Sequence, residues 1–276
     1  MNDTALLTQD ELRTRLFIGA SGYSFDDWVG PVYPKGTPRS EFLPRYARMF
    51  PVVEINATYY RIPPARSFES MARKAPRDFL FTVKAHQEMT HGQSREAALY
   101  RTFLDAIQPL RAAGKFEGVL LQFPFAFRNE PRHRAHLGFL REALPEMRLW
   151  AEFRHASWNQ EPVFDYLKRL DLGFCGVDEP ALQGLMPPVA AATTDTGYVR
   201  FHGRNQATWW QGGHERYDWD YSSEELSEWL DRIRKLAAGT RRTYVFFNNC
   251  YMGRAVKSAR ILQRLLGFPT EPDLGF

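Results

Sequence analysis

The stretch VVEINATYY, residues 52–60, decides the fold. Val52, Val53 and Ile55 are the β-branched residues that suit a buried strand. Glu54 and Asn56 interrupt them at a spacing of two, which in a strand puts both side chains on one face. A carboxylate in an apolar core is costly unless it is paired. The strand therefore ends in a polar cluster, and the rest of the chain must supply its partners.

Outward from this stretch the same pattern recurs. RLFIGAS (15–21), VVEINAT (52–58), FLFTVKA (79–85), GVLLQFP (118–124), RLWAEFR (148–154), GFCGVDE (173–179), GYVRFHG (197–203) and TYVFFNN (243–249) all begin apolar and end polar. Helical patterns separate most of them, at 67–74, 96–110, 133–144, 161–170 and 222–236, and a last one follows at 253–267. Ser222 and Glu225 stand at capping-box spacing. Strands alternating with helices predict parallel pairing, and eight of them in 276 residues predict one α/β domain, a (β/α)8 TIM-like barrel. The segment 179–191 is too rich in Pro and Gly for a regular sixth helix, and the connections after the first and seventh runs are long. The alternative, a doubly wound open sheet, wants a Gly-rich phosphate turn after an early strand, and GASGYS is not that fingerprint. The expected organisation is a loose segment over 1–14, the barrel over 15–267 and a tail over 268–276.

A hydrophobic fraction of 44% and a charged fraction of 25% fit a soluble globule. No apolar run reaches the roughly 18 residues a membrane span needs. The first residues carry acids and lack a long apolar core, unlike a secretory signal. Two cysteines, Cys175 and Cys250, make no disulfide framework, so a cytoplasmic location is expected. The net charge of +4 and a pI near 9.1 invite a nucleic-acid partner. Yet the basic residues are scattered among 32 acids, with one local cluster at 127–136, so nucleic acid is the weaker expectation.

In a parallel barrel all C-terminal strand ends lie on one face, where barrel enzymes hold their chemistry. Those ends offer Glu54, Lys84, Glu152, Asp178 and His202 as candidate catalytic groups. Ser21, Asn56, Thr58, Gln122, Arg154, Arg200, Asn248 and Asn249, with Trp28 and Trp158 from the loops, are candidate ligand contacts. Arginines grip carboxylate or phosphate with two-pronged hydrogen bonds. A buried carboxylate beside cations can serve as general acid or base. The reading is an enzyme acting on a small anionic molecule without a cofactor, with a Lys84 Schiff base as a secondary version. One alternative is an isomerase or phosphoesterase whose divalent metal is held by Glu54, Glu152, Asp178 and His202; the cations on the same faces oppose it. Another is a barrel that binds a ligand or nucleic acid without catalysis. The strand-end charges can equally form a structural ion-pair layer. The seventh connection, 203–222, holds Trp209, Trp210, Tyr217 and Trp219, as a lid or a packed buttress.

Taken together, GASGYSFDDW, FPVVEINATYYRIP, FTVKAHQEMTH, EFRHASW, YVRFHG and VFFNNCYMGRAVKSA make the chain, over about residues 17–266, resemble the YecE-like family, a domain of unknown function. The resemblance implies a TIM-like barrel. It implies no activity. Tyr251 stands where the family commonly has His.

Overall fold

The computed structural model describes residues 7–211 and 213–270. After α1 (Gln9–Arg15) come β1 (Leu16–Ala20), α2 (Phe42–Met49), β2 (Val52–Ile55), the single turn α3 (Ala57–Tyr60) and α4 (Ala65–Lys74). β3 (Leu80–Lys84) leads through α5 (Gln87–Thr90) to α6 (Ala97–Ala112); β4 (Phe116–Gln122) leads to α7 (Pro131–Ala143), and β5 (Leu149–Glu152) to α8 (Glu161–Arg169). β6 (Gly173–Asp178) runs to β7 (Thr196–Phe201) with no helix among the described residues, as the prolines there predict. α9 (Ser223–Ser227) and α10 (Leu230–Ala238) precede β8 (Arg242–Phe247), and α11 (Arg254–Leu265) follows it. No helix among the described residues is long and apolar enough to cross a membrane.

The strands form one parallel sheet in the order β1-β8-β7-β6-β5-β4-β3-β2. β1 and β2 are thus its two edges, and side chains rather than a backbone ladder close the barrel between them. Tyr46 of α2, fully buried, inserts its hydroxyl into this seam. It accepts the Ala20 N–H at 2.7 Å and donates to the Val52 carbonyl at 3.1 Å. Gly19 makes room, since a Cβ there would stand 2.3 Å from the Val52 carbonyl oxygen. Nearer the mouth, the Asn56 amide donates to the Ser21 carbonyl at 3.3 Å. A buried backbone polar group left unpaired is costly, so these side chains do what a ladder does elsewhere.

The barrel interior is filled, not hollow. Trp150 packs on Tyr198 and Tyr244, with ring centroids 4.7 and 5.4 Å away. At the N-terminal end Glu117 takes up Arg242 at 2.7 Å, Arg148 at 3.2 Å and the Tyr244 hydroxyl. A cavity of about 780 Å³ opens at that end, between acids and arginines of mixed sign.

Two elements depart from the sequence reading. Residues 9–14, expected in the loose segment over 1–14, belong to α1, which opens on a capping box of Thr8 and Glu11 and buries Leu12. Arg13 ties it to the chain's other end by donating to the Gly267 carbonyl at 2.7 Å. Of the expected loose ends, residues 1–6 and 271–276 lie outside the described residues. α2 has no counterpart in the predicted helices, because Pro44 breaks the pattern. Pro44 lies in the first turn, where a helix has no use for the missing N–H.

Candidate functional site

Alternation along β2, β5 and β7 carries Glu54, Glu152 and Arg200 to the barrel axis, all closed off from solvent. Arg200 bridges the two acids: Nη2 donates to Glu54 Oε1 at 2.7 Å and Nη1 to Glu152 Oε2 at 2.6 Å. The second Glu54 oxygen accepts the Tyr198 hydroxyl at 2.7 Å, and Ser21 Oγ accepts from Arg200 at 3.4 Å. Burial pushes the Glu152 carboxyl up, but Arg200, Arg154 and His202 outweigh it and hold the group well below the usual carboxylate range. Glu152 is a fixed anion.

One layer closer to the mouth, Arg154 Nη2 stands 2.8 Å from Glu152 Oε1 and Nη1 donates to Glu179 Oε2 at 2.6 Å. His202 lies beside them. Its Nδ1 faces two donors, Asn248 Nδ2 at 3.1 Å and Arg154 Nη2 at 3.4 Å, so it accepts. The proton then belongs on Nε2, 3.2 Å from Glu152 Oε1. Burial and the Arg154 charge lower the His202 pKa to about 3, so the imidazole is neutral. Glu179 behaves oppositely: burial outweighs Arg154 and raises its carboxyl to about 7. Sequence reasoning passed over Glu179, although the acid that closes the sixth run was a signal for it.

Lys84, at the end of β3, donates to Gln122 Oε1 at 2.8 Å and sits 4.0 Å from the Tyr59 ring centroid. Burial and the nearby Arg200 lower its pKa to about 7. Above this group is a cavity of about 190 Å³ whose walls include Gln122, Phe125, Arg154, Trp209, Arg216 and Tyr217. No carboxylate lines it among the described residues. Arg154 lies 5.5 Å from the Trp209 ring centroid. The seventh connection thus forms part of the cavity wall.

Of the sequence candidates, Ser21, Glu54, Lys84, Gln122, Glu152, Arg154, Arg200, His202 and Asn248 gather in the mouth or directly beneath it, and Asn56 joins the seam at its edge. Five do not gather there. Asp178 points to the helical layer, where it accepts from Arg204 Nη2 at 2.7 Å, Tyr221 at 2.5 Å and Trp229 at 2.7 Å. Trp28 donates to the Cys250 carbonyl and Trp158 to the Phe127 carbonyl, both rings buried in aromatic packing. Thr58 donates to the Lys84 carbonyl at 2.5 Å, and Asn249 to the Trp219 carbonyl and to Ser258. These four fix loops and strand ends. The alternative metal set fails on geometry: the Arg200 guanidinium stands between Glu54 and Glu152, and Asp178 faces away. No grouping of three His, Cys, Asp or Glu side chains that could hold a metal occurs among the described residues.

Fold and mouth together define a (β/α)8 barrel protein with buried charge at its axis and arginines at its C-terminal rim. The chain belongs to the DUF72 family, described as "Protein of unknown function DUF72", whose model matches residues 17–273. It is 30% identical over 269 residues to UPF0759 protein YunF of Bacillus subtilis, spanning 91% of this chain and 94% of that protein. A crystal structure of a DUF72 family protein from Thermotoga maritima is 40% identical with a TM-score of 0.85, over 92% of this chain and 99% of that one. Another from Enterococcus faecalis shares the fold at 24% identity and a TM-score of 0.82, over 95% and 100% of the two chains. The family anticipated from the motifs is thus established as DUF72; the name YecE-like rests on the motifs alone.

Proposed function

We propose that this barrel is an enzyme that binds a small anionic molecule in the cavity at its C-terminal mouth. The observation that carries the reading is the lining: two arginines and four aromatic rings, with no acid among the described residues. Arginine forks recognise carboxylate or phosphate, and the rings of Trp209 and Phe125 suit the flat or apolar remainder of such a ligand. Acid–base work falls to Glu179 and Lys84, whose ionisations lie near neutrality. Glu54 and Glu152, saturated by Arg200, act as its rigid foundation. The reading therefore moves the proton chemistry away from the carboxylates that the sequence singled out. Arg216 lies outside the buried network, its Nε donating to the Gly213 carbonyl at 3.4 Å, so Arg216→Gln tests the site without dismantling the core. Calorimetric titration with small carboxylates and phosphates should give binding to the wild type that the variant loses. Equal binding by both proteins would refute the assignment.

A further inference from the structure

Among the described residues Lys84 touches no counter-ion. Its one side-chain hydrogen bond goes to the neutral amide oxygen of Gln122, and no carboxylate stands within 4.0 Å of Nζ among the described residues. Glu54 of β2, Glu152 and Arg154 at the end of β5, and Arg200 of β7 face it, but the two acids spend their oxygens on Arg200, Arg154, Tyr198 and His202. A lysine kept for structure would normally pair with one of them, as buried charges do. Its backbone is pinned by Thr58, and Gln122, which holds the amine, is itself a wall of the cavity. The amine thus stands one side chain from the place where an anion would sit.

We infer that Lys84 is the nucleophile of the mouth, forming an imine with a small aldehyde or 2-oxo acid whose acidic group is held by Arg154 and Arg216. This rests on the anion-site reading above. With burial and Arg200 bringing the amine to about 7, a substantial fraction is neutral and nucleophilic at physiological pH. The nitrogen lone pair forms a C–N bond to the carbonyl carbon, and the C=O π pair moves to oxygen. The carbinolamine oxygen then leaves as water, carrying away the two hydrogens of the amine, so amine and carbonyl become imine and water with no oxidant or reductant. Protonation of the imine nitrogen from solvent restores the charge of the original ammonium. The face of Tyr59 and Gln122 Oε1 are already placed to receive that charge.

The test is reductive trapping of the full chain with glyoxylate, pyruvate and glycolaldehyde phosphate in sodium cyanoborohydride, followed by intact mass and peptide mapping. One adduct per chain, on Lys84 rather than on the six other lysines and lost in Lys84→Met, is the expected result. Competition by lactate, which has the anion but no carbonyl, should suppress it. In parallel, the wild-type melting point is measured with the same acids without the reductant, so the outcome does not depend on a variant that folds. A melting response with no adduct on Lys84, or with adducts spread over all lysines, overturns the imine and leaves the anion site standing. Neither response nor adduct overturns both.

Discussion

Arg200 Nη2 and Glu54 Oε1 stand 2.7 Å apart at the barrel axis, with both side chains shut away from water. Neither can be removed alone without leaving its partner a buried, under-paired charge. Arg200→Met should therefore destabilise the protein by about 3–5 kcal/mol, the range for breaking a buried pair from one side. Glu54→Gln should also lower the urea midpoint clearly, since it removes a charge from the same bridge. A Glu54→Gln protein of unchanged midpoint that no longer binds ligand would instead give Glu54 a direct role in the chemistry.

The seam between β1 and β2 makes a separate prediction. Tyr46→Phe deletes the hydroxyl that serves both the Ala20 N–H and the Val52 carbonyl. Leaving buried groups unsatisfied costs about 1–3 kcal/mol. Hydrogen exchange at the Ala20 amide should quicken in the variant, and the amides of the β7–β8 ladder should be much less affected. Uniform acceleration would mean that the seam has no local stability of its own.

Acid should weaken the fold, and the sign follows group by group. His202 titrates at about 3 in the fold against 6.5 unfolded, so between those values the unfolded chain holds the extra proton and stability falls as pH falls. His91, lowered by burial and Lys84 to about 4, acts in the same direction. Glu179, raised from 4.5 to about 7, acts oppositely: it adds stability as pH falls from 7 to 4.5. Below 4.5 Glu152 adds its own loss, because the unfolded chain protonates it while the fold still holds it ionised. The melting point should thus decline gently from pH 6.5 to 4.5 and steeply below. His202 alone contributes about 2 kcal/mol of loss at pH 5 relative to pH 7. His202→Asn should flatten the upper part of that limb, as melting curves at pH 7, 5.5 and 5 would record; an unchanged limb would mean that His202 is not the neutral group described here.

The axial bridge was legible from residue types at period two: Glu54, Glu152 and Arg200 each break an otherwise apolar run. Asp178 misled for a definable reason. In β6, GFCGVD, no second polar residue at a spacing of two from Asp178 reveals which parity looks inward. Its position at the end of the run gave its height in the barrel but not its side. Trp28 and Trp158 were ambiguous because a loop aromatic in a packing layer looks, in sequence, like one in a binding site. Glu179 lies one residue beyond its strand, where alternation no longer applies. Tyr46 could not be assigned to the seam before the helix around Pro44 was known.

The most direct test of the central claim is the melting temperature of the wild type across small carboxylates and phosphates, each measured with and without a chelator. A ligand at a hundred times its dissociation constant adds about 2.7 kcal/mol, enough to move the midpoint by roughly 5 °C in a chain of this size. The account predicts a rise with a small anion that survives chelation and is absent in Arg216→Gln. A rise that depends on a divalent metal, or one that Arg216→Gln retains in full, would contradict it.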